Sequence, residues 1–381
     1  KLTHQEDNAV SNFFALLGSM PHLQSLKIDQ LSRRIATSDW EMLSDFLADE
    51  NCRLEHLAIG GPGLNDLRAS TVAKGLASNK SLQSLLIRSP CLIHSGWGVL
   101  AAAMKKQGRL KNLFLRFCKM SSKAASDIIE TAPELSALES LKLRGCEILG
   151  PSDHLADVLA KGRNLRLFHM DQMDTSSEFY SRLGQALNVT TSCQQLNVPI
   201  TAKDPEQVID AFAAALDANR TLEGFTLSEG MFGLSLVAPP IDGLAARTLI
   251  KALSRCEGLR RINLTGIELS DTCVQAVLTK LVDCANLESL TIRVEGLSKG
   301  LEDGLDTLLH EGSKIQSLVI APPLTMHGSW SRRSSYLVPG AIGRALGKRV
   351  PLHKLTIDDI VLEGAELAAF KENAEVHQGQ A

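Results

Sequence analysis

The chain has 381 residues, 44% of them hydrophobic and 22% charged, with a formal net charge of −3. That composition excludes a disordered chain and leaves ample apolar material for a core. No apolar run reaches the ~18–20 residues that cross a bilayer, and the near-neutral balance gives no global drive toward nucleic acid or a membrane surface.

Aromatic side chains are few, 11 Phe, 3 Trp and 2 Tyr, so the core is expected to be built mainly from aliphatic residues. The chain opens at Lys1 rather than Met, which suggests a trimmed sequence. Residues 4–18, HQEDNAVSNFFALLG, read as an amphipathic helix whose companion strand would lie upstream, so residues 1–22 are expected to form an N-terminal repeat helix or cap.

From Leu23 a single pattern, apolar-x-x-apolar-x-apolar, recurs twelve times. It opens at Leu23, Leu54, Leu82, Leu110, Leu138, Leu165, Cys193, Leu222, Leu259, Leu287, Ile315 and Leu352. Examples are LQSLLI (82–87), LKNLFL (110–115), LESLKL (138–143), LRRINL (259–264) and LESLTI (287–292). Successive openings are 27–29 residues apart, except for intervals of 31, 37 and 37. A fixed period of this length is the mark of a repeat architecture.

The alternation within each unit predicts a short strand with one buried and one wet face. Between the strands lie Ala- and Leu-rich helical stretches: STVAKGLAS (70–78), AFAAALDA (211–218), AARTLIKALS (245–254) and TCVQAVLTKLV (272–282). Such units cannot hide their apolar faces alone, so they must stack. The spacing therefore predicts an α/β solenoid over residues 23–360, with a parallel sheet on the concave face and helices on the convex face. LEGAELAAFKENA (362–374) reads as a last amphipathic helix, which makes residues 361–381 a capping helix with a polar tail.

The stretch AFAAALDANRTLEGFTL (211–227), with its A-N-x-x-L junction, resembles the long, ribonuclease-inhibitor type of leucine-rich repeat, and SNKSL (78–82), DCANL (283–287) and RCEGL (255–259) are related junctions. Repeats of this class occur in ribonuclease inhibitor, NOD-like receptors, RanGAP-like proteins, F-box adaptors and bacterial effectors of the GALA type. The resemblance implies a horseshoe of about twelve repeats and leaves function open. In the family the third position after the last strand leucine is usually Asn or Cys. Cys118 and Cys146 match, whereas Pro90, Met173, Thr201, Gly230, Ile267, Glu295 and Pro323 depart, so the repeats are irregular.

Eight cysteines include no CxxC and no zinc-ligand spacing, which reads as a reduced, cytosolic chain. Cys118 and Cys146 fall on adjacent rungs about 5 Å apart, so a disulfide is conceivable, but buried thiols are expected. Four N-x-S/T triplets, at Asn79, Asn188, Asn219 and Asn263, weigh little beside the cysteines.

The outward column after the last strand leucine reads Asp29, Gly60, Arg88, Arg116, Arg144, Asp171, Pro199, Ser228, Thr265, Arg293, Ala321 and Asp358. Three consecutive rungs carry arginine. Lys142 stands two residues before Arg144, and Leu86 and Phe114 hold the same column on the preceding rungs. Like charges about 5 Å apart repel by roughly 0.8 kcal/mol even in water. Folding does not require such a ladder, but guanidinium forks suit an anionic partner.

Two insertions, SEGMFGLSLVAPPID (228–242) and APPLTMHGSWSRRSSYLVPG (321–340), leave the same sheet edge. The second carries Trp330, Arg332, Arg333 and Tyr336, and insertions in a solenoid often mark the binding face.

Catalysis finds little support. GLSKG (296–300) matches the G-x-S-x-G nucleophile elbow, but Ser298 opens a repeat helix as Ser270 does, so a helix cap is expected. There is no HExxH, no phosphate-binding loop and no Cys-x-Asp nucleophile. The sequence therefore predicts a noncatalytic interaction scaffold with no cofactor or metal and no catalytic residue. It is expected to bind a protein, acidic or phosphorylated, rather than nucleic acid. Its Ala-rich, irregular repeats resemble most those of bacterial GALA-type effectors and of NOD-like receptors, and the effector resemblance implies action in the host cytosol. The alternative is the substrate-recognition arm of a ubiquitin ligase, and a RanGAP-like activator would need a positioned loop arginine that nothing singles out.

Overall fold

The computed structural model describes residues 12–28, 31–150, 153–171, 173, 175–200, 205–229, 243–296, 298–309, 313–321, 351–357 and 360–368. The chain divides into two compact units, Lys1–Cys193 and Gln194–Ala381.

In the first unit, residues 12–16 are helical and pass into a 3-10 turn, Leu17–Ser19. Strands β1 (Ser25–Ile28), β2 (His56–Gly60), β3 (Ser84–Arg88), β4 (Asn112–Arg116), β5 (Lys119–Ser121), β6 (Ser140–Arg144), β7 (Glu147–Leu149) and β8 (Leu167–Asp171) follow. The main sheet runs β1-β2-β3-β4-β6-β8, and β5 pairs with β7 as a separate two-stranded piece. All these pairings are parallel. Between the main strands lie helices α1 (Thr37–Ala48), α2 (Asp66–Ser78), α3 (Ser95–Gln107), α4 (Ser122–Thr131), α5 (Asp157–Lys161) and α6 (Ser177–Val189).

The second unit repeats the scheme. It has strands β9 (Gln195–Ile200), β10 (Gly224–Glu229), β11 (Arg261–Leu269), β12 (Ser289–Val294), β13 (Ser317–Ala321), β14 (Lys354–Ile357) and β15 (Ile360–Glu363), with helices α7 (Pro205–Ala218), α8 (Gly243–Ser254), α9 (Asp271–Leu281) and α10 (Lys299–Leu308). Strands β9 to β14 are parallel. β15 turns back antiparallel on β14, Lys354 facing Glu363 and Ile357 facing Ile360. The helix expected from 362 therefore begins later, at residue 364. Leu362 and Glu363 instead pair with β14 and cover backbone groups that a last parallel strand would leave bare.

Each rung is built by the predicted alternation. In β3, Leu85 and Ile87 are buried while Leu86 and Arg88 are half-exposed, and Leu82, ahead of the strand, is fully buried. One such side chain contributes about 1.5–3 kcal/mol on burial. Rungs are joined before the strand too: the carbonyl of Glu55 accepts from Gln83 N and Ser84 N, both at 2.9 Å.

The A-N-x-x-L junctions prove structural. Asn79, 2% exposed, accepts at Oδ1 from Leu82 N (2.7 Å) and Ser81 N (3.0 Å) and donates from Nδ2 to Leu47 O (2.8 Å) on the previous rung. Asn219 Oδ1 accepts from Thr221 N and Leu222 N at 3.0 Å each. Adjacent helices approach closely at Gly75, where a Cβ would stand 2.2 Å from Ser44 O.

The scarce aromatics are mostly interior. Trp40, Trp97, Tyr180, Phe14, Phe168, Phe179, Phe212 and Phe225 are all fully buried. They join a core that is otherwise mainly aliphatic, as expected.

Candidate binding face

The pleat fixes the outward columns. Leu86 faces Phe114, Phe114 faces Lys142, and Lys142 faces His169. Two residues further along, Gly60 faces Arg88, Arg116 faces Arg144, and Arg144 faces Asp171. The structure therefore brings Leu86, Phe114, Lys142, Arg88, Arg116 and Arg144 together on one face, as the register predicts. Phe114, expected to be exposed, is half-buried. The insertion residues Trp330, Arg332, Arg333 and Tyr336 lie outside the described residues.

The three arginines are not equivalent. Arg144 Nε lies 3.4 Å from Asp171 Oδ2, an ion pair whose angle does not make a hydrogen bond. The same carboxylate oxygen is 3.2 Å from His169 Nε2. Burial pushes the His169 pKa below its ordinary value, against the pull of Asp171 and with the help of Lys142 and Arg144. Among the described residues no carboxylate pairs with Arg88 or Arg116, and Arg116 Nε is buried without a hydrogen-bond partner.

These two cations are arranged instead around an aromatic ring. The guanidinium carbons of Arg88 and Arg116 lie 5.5 and 5.0 Å from the ring centroid of Phe117, which is 38% exposed. On three rungs, though not at Ser89, the position just past the strand turns the chain and its amide bonds to the next rung: Gly61 N to Arg88 O, Phe117 N to Arg144 O and Gly145 N to Asp171 O, at 2.8, 2.8 and 3.0 Å. Gly61 and Gly145 meet the demand with positive φ, and so does Phe117, at 49°. Left-handed backbone is uncommon for a bulky residue and costs of order 1–3 kcal/mol.

Beneath this face the thiols stack. Cys118 Sγ donates to Ile87 O and Cys146 Sγ to Leu115 O, each at 3.4 Å. Both are buried and unbridged. Burial, and then the neighbouring Cys146 thiol, push the Cys118 pKa well up. The hydrogen bond with Cys118 pulls the Cys146 pKa down, and the two cysteines close the turn as hydrogen-bonded thiols rather than as a disulfide. Just beyond, Lys119 on β5 pairs with Glu147 on β7 at 2.8 Å.

Ser298 caps α10, accepting from Leu301 N at 3.2 Å, which accounts for GLSKG as a helix start. Ser270 holds the same place on α9, but its hydroxyl meets Thr272 Oγ1 instead of an amide. Among the described residues there is no group of three His, Cys, Asp or Glu side chains that could hold a metal ion. No helix among them is long and apolar enough to cross a membrane.

No family model matches the chain. It is 24% identical over 296 residues to NACHT, LRR and PYD domains-containing protein 9 of Bos taurus, a match that takes in 76% of this chain and 26% of the relative. The repeat spacing, the parallel rungs and this relative agree. The chain is a leucine-rich-repeat protein. It spans about a quarter of the length of the curated relative. Among solved structures it is similar to TLR13, in a TLR13–ssRNA13 complex, at 14% identity with a TM-score of 0.47, covering 92% of this chain and 53% of that one. It is also similar to a chain of the yeast Rad7 and Elc1 complex at 14% identity with a TM-score of 0.46, covering 83% and 82%. A third similarity is to the internalin InlF of Listeria monocytogenes, at 13% identity with a TM-score of 0.42, covering 87% and 92%.

Sequence reasoning missed Phe117 in this leucine-rich-repeat face, because the inward–outward alternation assigns no column to a residue past the strand. The signal available was its place in line with Gly61 and Gly145. It also did not single out His169, although Asp171, two residues on, already stood in the outward column.

Proposed function

We propose that this leucine-rich-repeat chain is a noncatalytic recognition scaffold that captures an acidic protein segment on the outward face of the unit Lys1–Cys193. The observation that carries the reading is the pair Arg88 and Arg116, two guanidinium groups without a carboxylate partner among the described residues, held against the exposed Phe117 ring. An aromatic beside arginines is the composition of an interaction hot spot, and Lys142 adds to the positive potential of the same face. Trp330, Arg332, Arg333 and Tyr336 are proposed, from sequence alone, as a second contact.

The Ala-rich, irregular repeats support placing the scaffold in an effector that meets host proteins in the cytoplasm. The substrate-recognition arm of a ubiquitin ligase is the alternative, and ubiquitin transfer to a captured protein by the full reading frame's product would favour it. The scaffold role itself is tested by charge reversal. Arg88→Glu with Arg116→Glu should lower capture of acidic peptides at least tenfold while leaving the melting temperature within a few degrees. Unchanged capture would sink the reading.

A further inference from the structure

We infer that Arg88, Arg116 and Phe117 form a clamp for a phosphoryl group, so that the partner is a phosphorylated peptide. This assignment rests on the recognition role proposed above and names the chemistry of its ligand.

The argument begins with the number of open charges. Arg144 belongs to Asp171 at 3.4 Å and is not available as a third equal cation. That leaves two guanidinium groups from adjacent rungs, whose strands pair as far as Ile87 and Leu115 and which both lie against the Phe117 ring. A phosphoryl group carries a charge of about −1.5 to −2 at neutral pH, which matches two cations. A carboxylate presents two oxygens and is filled by a single fork, whereas a phosphoryl group offers three and can be shared by forks from two rungs.

Phe117 prepares the forks. A guanidinium stacked on an aromatic face keeps all its N–H donors in its own plane, pointing away from the ring. Both guanidinium carbons lie within 5.5 Å of the ring centroid, so one ring restrains two long side chains that would otherwise lose rotamer freedom on binding. The ring is placed by a left-handed backbone, φ 49°, where Gly61 and Gly145 stand in the corresponding turns. Strain of this kind persists only where the surrounding structure holds it, and it clusters at ligand clamps and active sites. Arg116 Nε, like Arg144 Nε, is buried without an acceptor, so the fold leaves donor capacity unused on this face.

The face also reads the flanking residue. Leu86 and Phe114 stand two residues back along β3 and β4, about 7 Å from the arginine column. Both are half-buried and apolar, so an apolar side chain next to the phosphorylated residue would lie on them. Lys142, opposite Phe114, favours a further acidic residue on that side.

The test uses the full chain and two fluorescent peptide libraries with degenerate flanks, one with a fixed central phosphoserine and one with glutamate in its place. The phosphoserine library should be retained at least tenfold more strongly, with an apolar residue selected beside the phosphoserine. Arg88→Gln and Arg116→Gln should each lower that retention about tenfold. Arg116→Lys should not restore it, because an ammonium neither forks nor stacks, and Lys74→Gln on α2 should change nothing. Melting curves of each variant separate loss of binding from loss of fold. Equal retention of both libraries would overturn the phosphoryl clamp and leave acidic recognition standing. Retention of neither would overturn both. Displacement of the phosphopeptides by poly(U) at lower concentration than by unlabelled phosphopeptide would overturn both in favour of nucleic acid.

Discussion

Phe117 and Gly145 occupy the same turn on successive rungs, and both hold left-handed backbone, at φ 49° and 59°. Glycine reaches that region without steric cost, while a phenylalanine there costs of order 1–3 kcal/mol. Selection for folding alone would place glycine at both.

Replacing Phe117 with Gly should therefore separate stability from binding. Relief of strain offsets the lost ring contact and the added freedom of glycine in the unfolded chain. The melting temperature of Phe117→Gly should stay within a few degrees of the parent or rise, while affinity for the acidic ligand falls about tenfold. A loss of stability of more than about 2 kcal/mol would show that the ring serves the fold.

Asp171 holds Arg144 back from the open pair. Removing its charge with Asp171→Asn should free Arg144 and raise affinity for an acidic peptide about threefold, the scale of one partly exposed charge contact. The gain should shrink as salt is raised. Peptide titrations at two ionic strengths read this out, and a weaker complex at low salt would contradict it.

Two histidines make the first unit sensitive to acid. Burial is the largest influence on both His169 and His154, and it lowers their pKa below the ordinary 6.5. The folded state then binds protons less readily than the unfolded chain. Their contribution to stability is present above about pH 6.5 and is lost as pH falls from there through the folded pKa. Melting at pH 7.5 and 5.5 should show a drop for the parent and a smaller one for the double variant His154→Gln, His169→Gln. Equal drops would mean that other groups govern the response.

Asn79 joins two rungs through three hydrogen bonds shorter than 3.1 Å. Asn79→Ala leaves the buried carbonyl of Leu47 and the amides of Ser81 and Leu82 without their partner. It should destabilise the first unit by about 2–4 kcal/mol, visible as a lower urea midpoint. Asn188→Ala, at an exposed site on α6, should have almost no effect.

The fold was legible because one period governs it. Leu82, Leu110 and Leu138 stand 28 residues apart, and each is buried ahead of a parallel strand. The outward column followed from the alternation and was recovered in the pairing of Arg116 with Arg144 and of Arg144 with Asp171. What escaped was local. The antiparallel return of Ile360–Glu363 has no periodic signal, because four residues suit a strand or a helical turn equally well. Phe117 escaped because side-chain alternation carries no information about φ. The inequality of the three arginines escaped because it depends on where Asp171 and Phe117 place their side chains, not on which columns they occupy.

The burial of Asn79 bears on where this chain can mature. Asn79-Lys80-Ser81 is an acceptor triplet for N-linked glycan, and the amide nitrogen that would carry the sugar is the one bonded to Leu47 O inside the molecule. Asn219-Arg220-Thr221 repeats the conflict, with Asn219 only 3% exposed. A glycan attached to either before folding would wedge its rung open. Passage through a compartment that glycosylates nascent chains is thus in direct competition with closure of these two junctions.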